Sequence, residues 1–186
     1  VSSFVGLNDM FKVKKHVLED EVIENAVLTV LAKAVESFIE MRTIEGERLV
    51  NDVKSRLDFI LEKVEFVEKR SPETVKLYRE RIEQKIKELL GDTTIDEQRI
   101  LTEVAIFADK VAVAEETVRL RSHIKQFEDL LNSDAPVGRK LDFIVQEMNR
   151  ETNTIGSKAQ DIEIAHTVVD IKSEIEKIRE QIQNME

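Results

Sequence analysis

Glu147 and Glu151 stand four residues apart in the run Gln146-Glu147-Met148-Asn149-Arg150-Glu151-Thr152-Asn153. On a helix that spacing puts the two carboxylates one turn apart on the same side. Such a pair can hold Mg²⁺ or Mn²⁺, which prefer oxygen ligands. The stretch from about Arg139 to Ile155 reads as one amphipathic helix, with Leu141, Ile144, Val145 and Met148 toward a core. The opposite face gathers Arg139, Asp142, Gln146, Asn149, Arg150 and Asn153, with Lys140 on the flank beside the two glutamates. A face that only meets water is usually Lys and Glu, whereas amides hydrogen-bond sugars and base edges and arginines clamp phosphates. The plainer alternative is that these residues make hydrogen bonds between buried helices.

Glu116, Arg119 and His123 fall on neighbouring turns of the preceding helix. A histidine can carry a proton near neutral pH, and Glu116 can orient it with Arg119 between them. A packed or solvated histidine is the competing reading here, and His16 and His166 read as structural. Other chemistries are excluded more firmly. The sequence holds no glycine-rich phosphate loop, no His-Glu-x-x-His pair and no EF-hand loop. It has no cysteine, which removes disulfides, thiolate catalysis and cysteine zinc sites.

The elements that must position these groups are helices. The 186 residues include only 5 Gly and 2 Pro, with 35% charged and 41% hydrophobic residues. A sheet needs turn residues far more often. Acidic residues outnumber basic ones 38 to 28, a net charge of −10, so RNA contact requires a local basic patch, a metal ion or a further part of the protein. Nothing approaches the ~18 consecutive apolar residues of a membrane span and no secretory segment is legible, which makes the cytoplasm the expected location.

Residues 1–18 read as a connector from an upstream domain, with a frayed terminus the plainer alternative. Residues 19–93 read as a long antiparallel helical hairpin. Its first arm carries Val22, Ala26, Val27, Val30, Ala34, Val35, Phe38 and Met41, then Leu49, Val53, Leu57, Ile60, Val64 and Val67, with Gly46 the expected kink. Ser71-Pro72-Glu73 has the composition of a helix restart, and Val75, Tyr78, Ile82, Ile86 and Leu89 supply the second arm, ending at Gly91.

Residues 94–186 read as a small helical bundle. Thr94-Ile95-Asp96-Glu97 fits a capping box that opens a helix to about Asn132, with Leu101, Val104, Ala108, Val111, Val118, Ile124, Phe127 and Leu131 inward. Gly156 is expected to stop the helix begun at Arg139, and Ser157-Lys158-Ala159-Gln160 to cap the next. Ile164, Val168, Ile171, Ile175, Ile178, Ile182 and Met185 then form a strict heptad seam that needs a partner helix or a second subunit. The expected class is therefore all-α, a hairpin plus a bundle with a C-terminal heptad-seam helix.

Several ordered segments resemble the YicC-like bacterial endoribonucleases. They are Asp96-Glu97-Gln98-Arg99-Ile100, Ala114-Glu115-Glu116, Arg119-Leu120-Arg121-Ser122-His123, Gly138-Arg139-Lys140-Leu141-Asp142-Phe143, and the run from Gln146 to Lys158. The ending Arg179-Glu180-Gln181-Ile182-Gln183-Asn184-Met185-Glu186 is also similar, and Met41-Arg42-Thr43-Ile44-Glu45-Gly46 resembles a weaker motif. The resemblance implies divalent-metal-assisted cleavage of single-stranded RNA and assembly into a ring-like hexamer. It also implies a strand-rich N-terminal domain, which this sequence does not contain.

The positions that match the motifs are Glu116, His123, Arg139, Gln146, Glu147, Arg150, Glu151, Asn153 and Lys158. Side-chain chemistry assigns their expected roles. Glu147 and Glu151 hold Mg²⁺ or Mn²⁺, His123 moves protons with Glu116, and Arg139, Arg150 and Lys158 hold phosphate beside Gln146 and Asn153. The rival function is a helical scaffold or adaptor without catalysis of its own. Convergence of Glu116, His123, Glu147 and Glu151 on one concave surface separates the two.

Overall fold

The computed structural model describes residues 19–90, 97–133 and 136–183. Among these residues every regular element is a helix: α1 Asp20–Leu90, α2 Glu97–Lys110, α3 Ala114–Leu131, α4 Gly138–Lys158 and α5 Ile162–Gln183. The all-α class is as expected. The connector over residues 1–18, His16, the capping box at Thr94, the stop at Gly91 and the end of the seam at Met185 lie outside the described residues. The chain divides into two compact units, Val1–Glu45 and Gly46–Glu186.

Within the second unit, polar pairs fix the directions of four helices. Arg56, Lys63 and Arg70 of α1 meet Glu174, Asp170 and Asp161 in turn, so α5 and the α1 seam run antiparallel. Arg121 to Glu68 and Lys54 to Asn132 set α3 antiparallel to α1. Lys158 to Glu116 does the same for α4 on α3, and Arg179 to Asp142 for α5 on α4. The result is an up-down-up-down four-helix bundle. Its core includes Leu57, Ile60 and Val64 of α1, Leu120 and Phe127 of α3, Val145 and Met148 of α4, and Ile171 and Ile175 of α5. The α5 seam thus finds its partner helix within the chain.

No turn forms at Ser71-Pro72-Glu73, and the expected hairpin is replaced by one continuous helix with Pro72 inside it. A proline in a helix interior forfeits a hydrogen bond and crowds the carbonyl four residues back, at about 3 kcal/mol. Val53, Leu57, Ile60, Val64 and Val67 are fully buried just before it, and full burial stabilises each such side chain by about 1.5–3 kcal/mol. The heptad phase continues past the proline: Thr74, seven residues after Val67, is buried, and the Tyr78 ring stacks on Phe107 with centroids 3.7 Å apart. Pro72 itself points to solvent. Packing on both sides of it outweighs the local signal.

In the first unit, Val22, Val27, Val30, Val35, Phe38 and Met41 are exposed, and Leu28, Leu31, Val35 and Ile39 line a shallow apolar concavity.

The helix expected from Thr94 to Asn132 is divided at Val111-Ala112-Val113. In one straight helix residues two apart face nearly opposite ways. The break lets both Val111 and Val113 be buried, and it frees the Ala112 carbonyl to accept a hydrogen bond from Lys158 Nζ at 2.9 Å. Ile100, Phe107, Leu120, Ile124 and Phe127 face inward, whereas Leu101 and Val118, expected inside, are exposed.

Gly156 does not stop α4. A Cβ there would lie 3.0 Å from Val168 Cγ1, so the glycine allows α4 and α5 to approach closely. The cap of α5 is Asp161 rather than the box at Ser157: its Oδ1 accepts from the amides of Glu163 and Ile164 at 2.9 and 3.1 Å. Burial tends to raise the Asp161 carboxyl, but the hydrogen bond and charge of Arg70 hold it below the usual range.

Candidate active site between α3 and α4

The α3–α4 seam is polar along one edge because its facing residues alternate in charge. From the N-terminal end of α3, Glu116 meets Lys158, Arg119 meets Glu151, and His123 lies beside Glu147 and Glu151. One ligand-capable atom from each of His123, Glu147 and Glu151 lies within 4.8 Å of the others. Opposite ligands of an octahedral ion at ~2.1 Å lie ~4.2 Å apart, so small side-chain adjustments suffice to close this set on one cation. An imidazole with two carboxylates suits Mn²⁺ and its neighbours, and the two oxygens alone suit Mg²⁺. The donor set fits the expected ion.

The two glutamates differ in setting. Glu151 is 2% exposed, while Glu147 and His123 are half-buried. The Arg150 guanidinium ties the pair together: its Nη2 donates to Glu151 Oε1 at 2.9 Å and lies 2.8 Å from Glu147 Oε2. The hydrogen bond to Glu151, reinforced by the charge of Glu147, raises the Arg150 pKa above its ordinary value. Arg119 adds a second guanidinium 3.9 Å from the same Glu151 oxygen while also pairing with Glu115. Burying a carboxylate without such partners is costly.

Next to this cluster the outer face of α4 forms a shallow concavity of about 520 Å³ lined by Gln146, Asn149, Arg150, Asn153, Thr154 and Ser157. Arg150 is shared between the concavity and the acidic pair. Gln146 donates to Asp142 at 2.8 Å, which orients its amide.

Glu116 stands outside the cluster, about 10 Å from His123 along α3 at 1.5 Å per residue. Its side chain is closed on Lys158 Nζ at 2.8 Å, with Oε2 buried and without a hydrogen-bond partner among the described residues. Burial pushes this carboxyl up, but the hydrogen bond and charge of Lys158 prevail and hold it below the usual carboxylate value.

Comparison with known proteins adds the decisive observation. The family described as "Endoribonuclease YicC-like, C-terminal" matches residues 67–186. The chain belongs to that YicC-like family. It is 49% identical over 173 residues to the "Probable endoribonuclease YicC" of Clostridioides difficile (strain 630), which covers 90% of this chain and 59% of that protein. It is 38% identical over 166 residues to the protein of the same name from Haemophilus influenzae, covering 89% of this chain and 57% of the relative. The chain therefore spans somewhat under three fifths of the length of these curated YicC relatives.

Of the residues singled out in the sequence, the YicC-like bundle brings His123, Glu147, Glu151 and Arg150 together, with Gln146 and Asn153 on the adjoining concavity. Glu116 and Lys158 pair with each other instead. Arg139 is exposed in the first turn of α4, eleven residues and about 16 Å along the helix from Arg150. His166 is exposed on α5. Arg119, expected to stand between Glu116 and His123, instead reaches Glu151 across the seam at 3.9 Å and pairs with Glu115.

Proposed function

We propose that this chain is the catalytic helical part of a divalent-metal-assisted endoribonuclease acting on single-stranded RNA. The convergence of His123, Glu147 and Glu151 from two helices carries the reading, beside an amide- and arginine-lined concavity. Glu147 and Glu151 hold Mg²⁺ or Mn²⁺, which when bound supplies positive charge against the developing charge of the phosphorane. A His123 ring nitrogen accepts the proton of the attacking oxygen. Gln146, Asn149 and Asn153 bind bases and sugars of an unpaired strand, and Arg150, with Arg139 further along α4, binds its phosphates. Arg119 places a second positive charge beside Glu151, and the Glu116–Lys158 pair holds α3 and α4 in register.

The relatives named as probable endoribonucleases and the family match support the reaction class. Among the described residues no helix is long and apolar enough to cross a membrane. The uncovered stripe from Val22 to Ile44 on α1 favours assembly with further copies of the chain, and the family resemblance makes that assembly a hexamer. The same stripe suits the alternative of a scaffold without catalysis.

Incubating labelled single-stranded RNA with the chain, in Mn²⁺ and in EDTA, tests the proposal alongside a Glu147→Gln/Glu151→Gln double variant. Cutting that requires Mn²⁺ and disappears in the folded double variant supports it. Undiminished cutting by that variant contradicts it, and silence of both in a correctly assembled protein favours the scaffold.

A further inference from the structure

Arg150 serves two sites at once. One guanidinium nitrogen, Nη2, makes both contacts to Glu147 and Glu151, at 2.8 and 2.9 Å, and so stands between the two carboxylates where a cation bridging them must sit. The side chain is nevertheless 61% exposed, and Arg150 lines the concavity on the outer face of α4. The head can therefore leave the glutamates without any core rearrangement. Arg119 is placed differently: it reaches Glu151 from α3 at 3.9 Å and keeps a second partner in Glu115.

The charges point the same way. Around the Glu147–Glu151 pair itself, leaving aside the exposed Glu115 on the far side of Arg119, two carboxylates and two guanidiniums cancel. Adding a divalent cation while both arginines stay gives a strong positive excess in one small volume, which like-charge repulsion opposes. If Arg150 swings out, Arg119 and the cation exceed the two carboxylates by a single positive charge. The departing guanidinium then projects over the concavity, where it can take a phosphate bidentately.

We propose that Arg150 is a displaceable internal counter-ion, which occupies the acidic pair until a divalent cation expels it and then binds substrate phosphate, coupling metal binding to RNA binding. The inference rests on Glu147 and Glu151 being the metal ligands. Coupling of this kind is reciprocal: the metal strengthens RNA binding by the same factor as RNA strengthens metal binding.

The test is calorimetric titration of Mn²⁺ into the whole chain, with and without a saturating 2′-O-methyl oligoribonucleotide that resists cleavage. Wild type, Arg150→Gln and Glu147→Gln/Glu151→Gln are compared, each checked for helicity by circular dichroism. In the absence of oligonucleotide Arg150→Gln binds Mn²⁺ about tenfold more tightly than wild type, the size of one charge-assisted hydrogen bond no longer competing. The oligonucleotide tightens Mn²⁺ binding in wild type and leaves Arg150→Gln unchanged. Equal or weaker Mn²⁺ binding by Arg150→Gln, with binding lost in the glutamate double variant, overturns the Arg150 proposal alone. Mn²⁺ binding that survives in the double variant, or is missing from every variant, overturns the metal site and this inference with it.

Discussion

Lys158 Nζ lies 2.8 Å from Glu116 Oε1 and 2.9 Å from the Ala112 carbonyl, so one ammonium group closes both the α3–α4 seam and the break between α2 and α3. Removing one partner of a fully buried pair costs about 3–5 kcal/mol. Lys158 is 33% exposed, which reduces the expectation. Lys158→Met should therefore cost about 2 kcal/mol. Glu116→Gln, which keeps an acceptor for the lysine, should cost less. Urea unfolding of the two variants gives the order directly, and equal losses would mean that the Glu116 charge carries the whole effect and the Ala112 contact adds little.

The same pair has a pH signature. Glu116 is held below its usual value of 4.5 because Lys158 outweighs the effect of burial, and Asp161 is held below 3.8 because Arg70 does the same. A carboxyl depressed in the folded state stabilises the fold above its unfolded value, and that contribution disappears as pH falls through the folded value. Stability should thus hold near neutrality and decline below about pH 4.5. The decline attributable to Glu116 should vanish in Glu116→Gln, as thermal melting across pH 3–7 can show.

Pro72→Ala should stabilise the protein by about 1–3 kcal/mol, because the helix already runs through this position and alanine restores its missing hydrogen bond. Denaturant midpoints measure it. An unchanged or lowered midpoint would mean that the fixed backbone angle of proline helps align Thr74 and Tyr78 with their partners.

How far the sequence was readable follows from such residues. The helical class, the α5 seam and the one-turn spacing of Glu147 and Glu151 are local patterns, and they were visible in the sequence. The continuity of α1 was not, because Ser71-Pro72-Glu73 is a sound local restart signal and only the buried seam around it overrides it. The approach of His123 to the glutamates depends on the register of α3 against α4. That register is fixed by nonlocal contacts such as Lys158 on Ala112 and Glu116, which no spacing along the chain displays.

Gly156→Ala should destabilise by about 1 kcal/mol despite alanine's better helix propensity, since its Cβ would press on the buried Val168. Adding Val168→Ala should make the pair of substitutions less costly than the sum of the two alone. Simple additivity in a double-mutant cycle would remove the close-approach explanation.

His123→Gln should lower the single-turnover cleavage rate at least about a hundredfold, the usual contribution of a positioned proton carrier. Mn²⁺ binding by the folded variant should be little changed, since Glu147 and Glu151 remain. A parallel loss of Mn²⁺ affinity would reassign His123 from proton transfer to the metal's ligand set.

The central claim is that the acidic pair of α4, Glu147 and Glu151, holds the catalytic metal beside His123 of α3. Anomalous diffraction from crystals grown with Mn²⁺ addresses it most directly. The account predicts a peak between the Glu147 and Glu151 carboxylates, on the side facing His123, which disappears in Glu147→Gln/Glu151→Gln. A Mn²⁺ peak elsewhere on the chain, with nothing at this pair while the crystallised protein still cuts RNA in Mn²⁺, would contradict it.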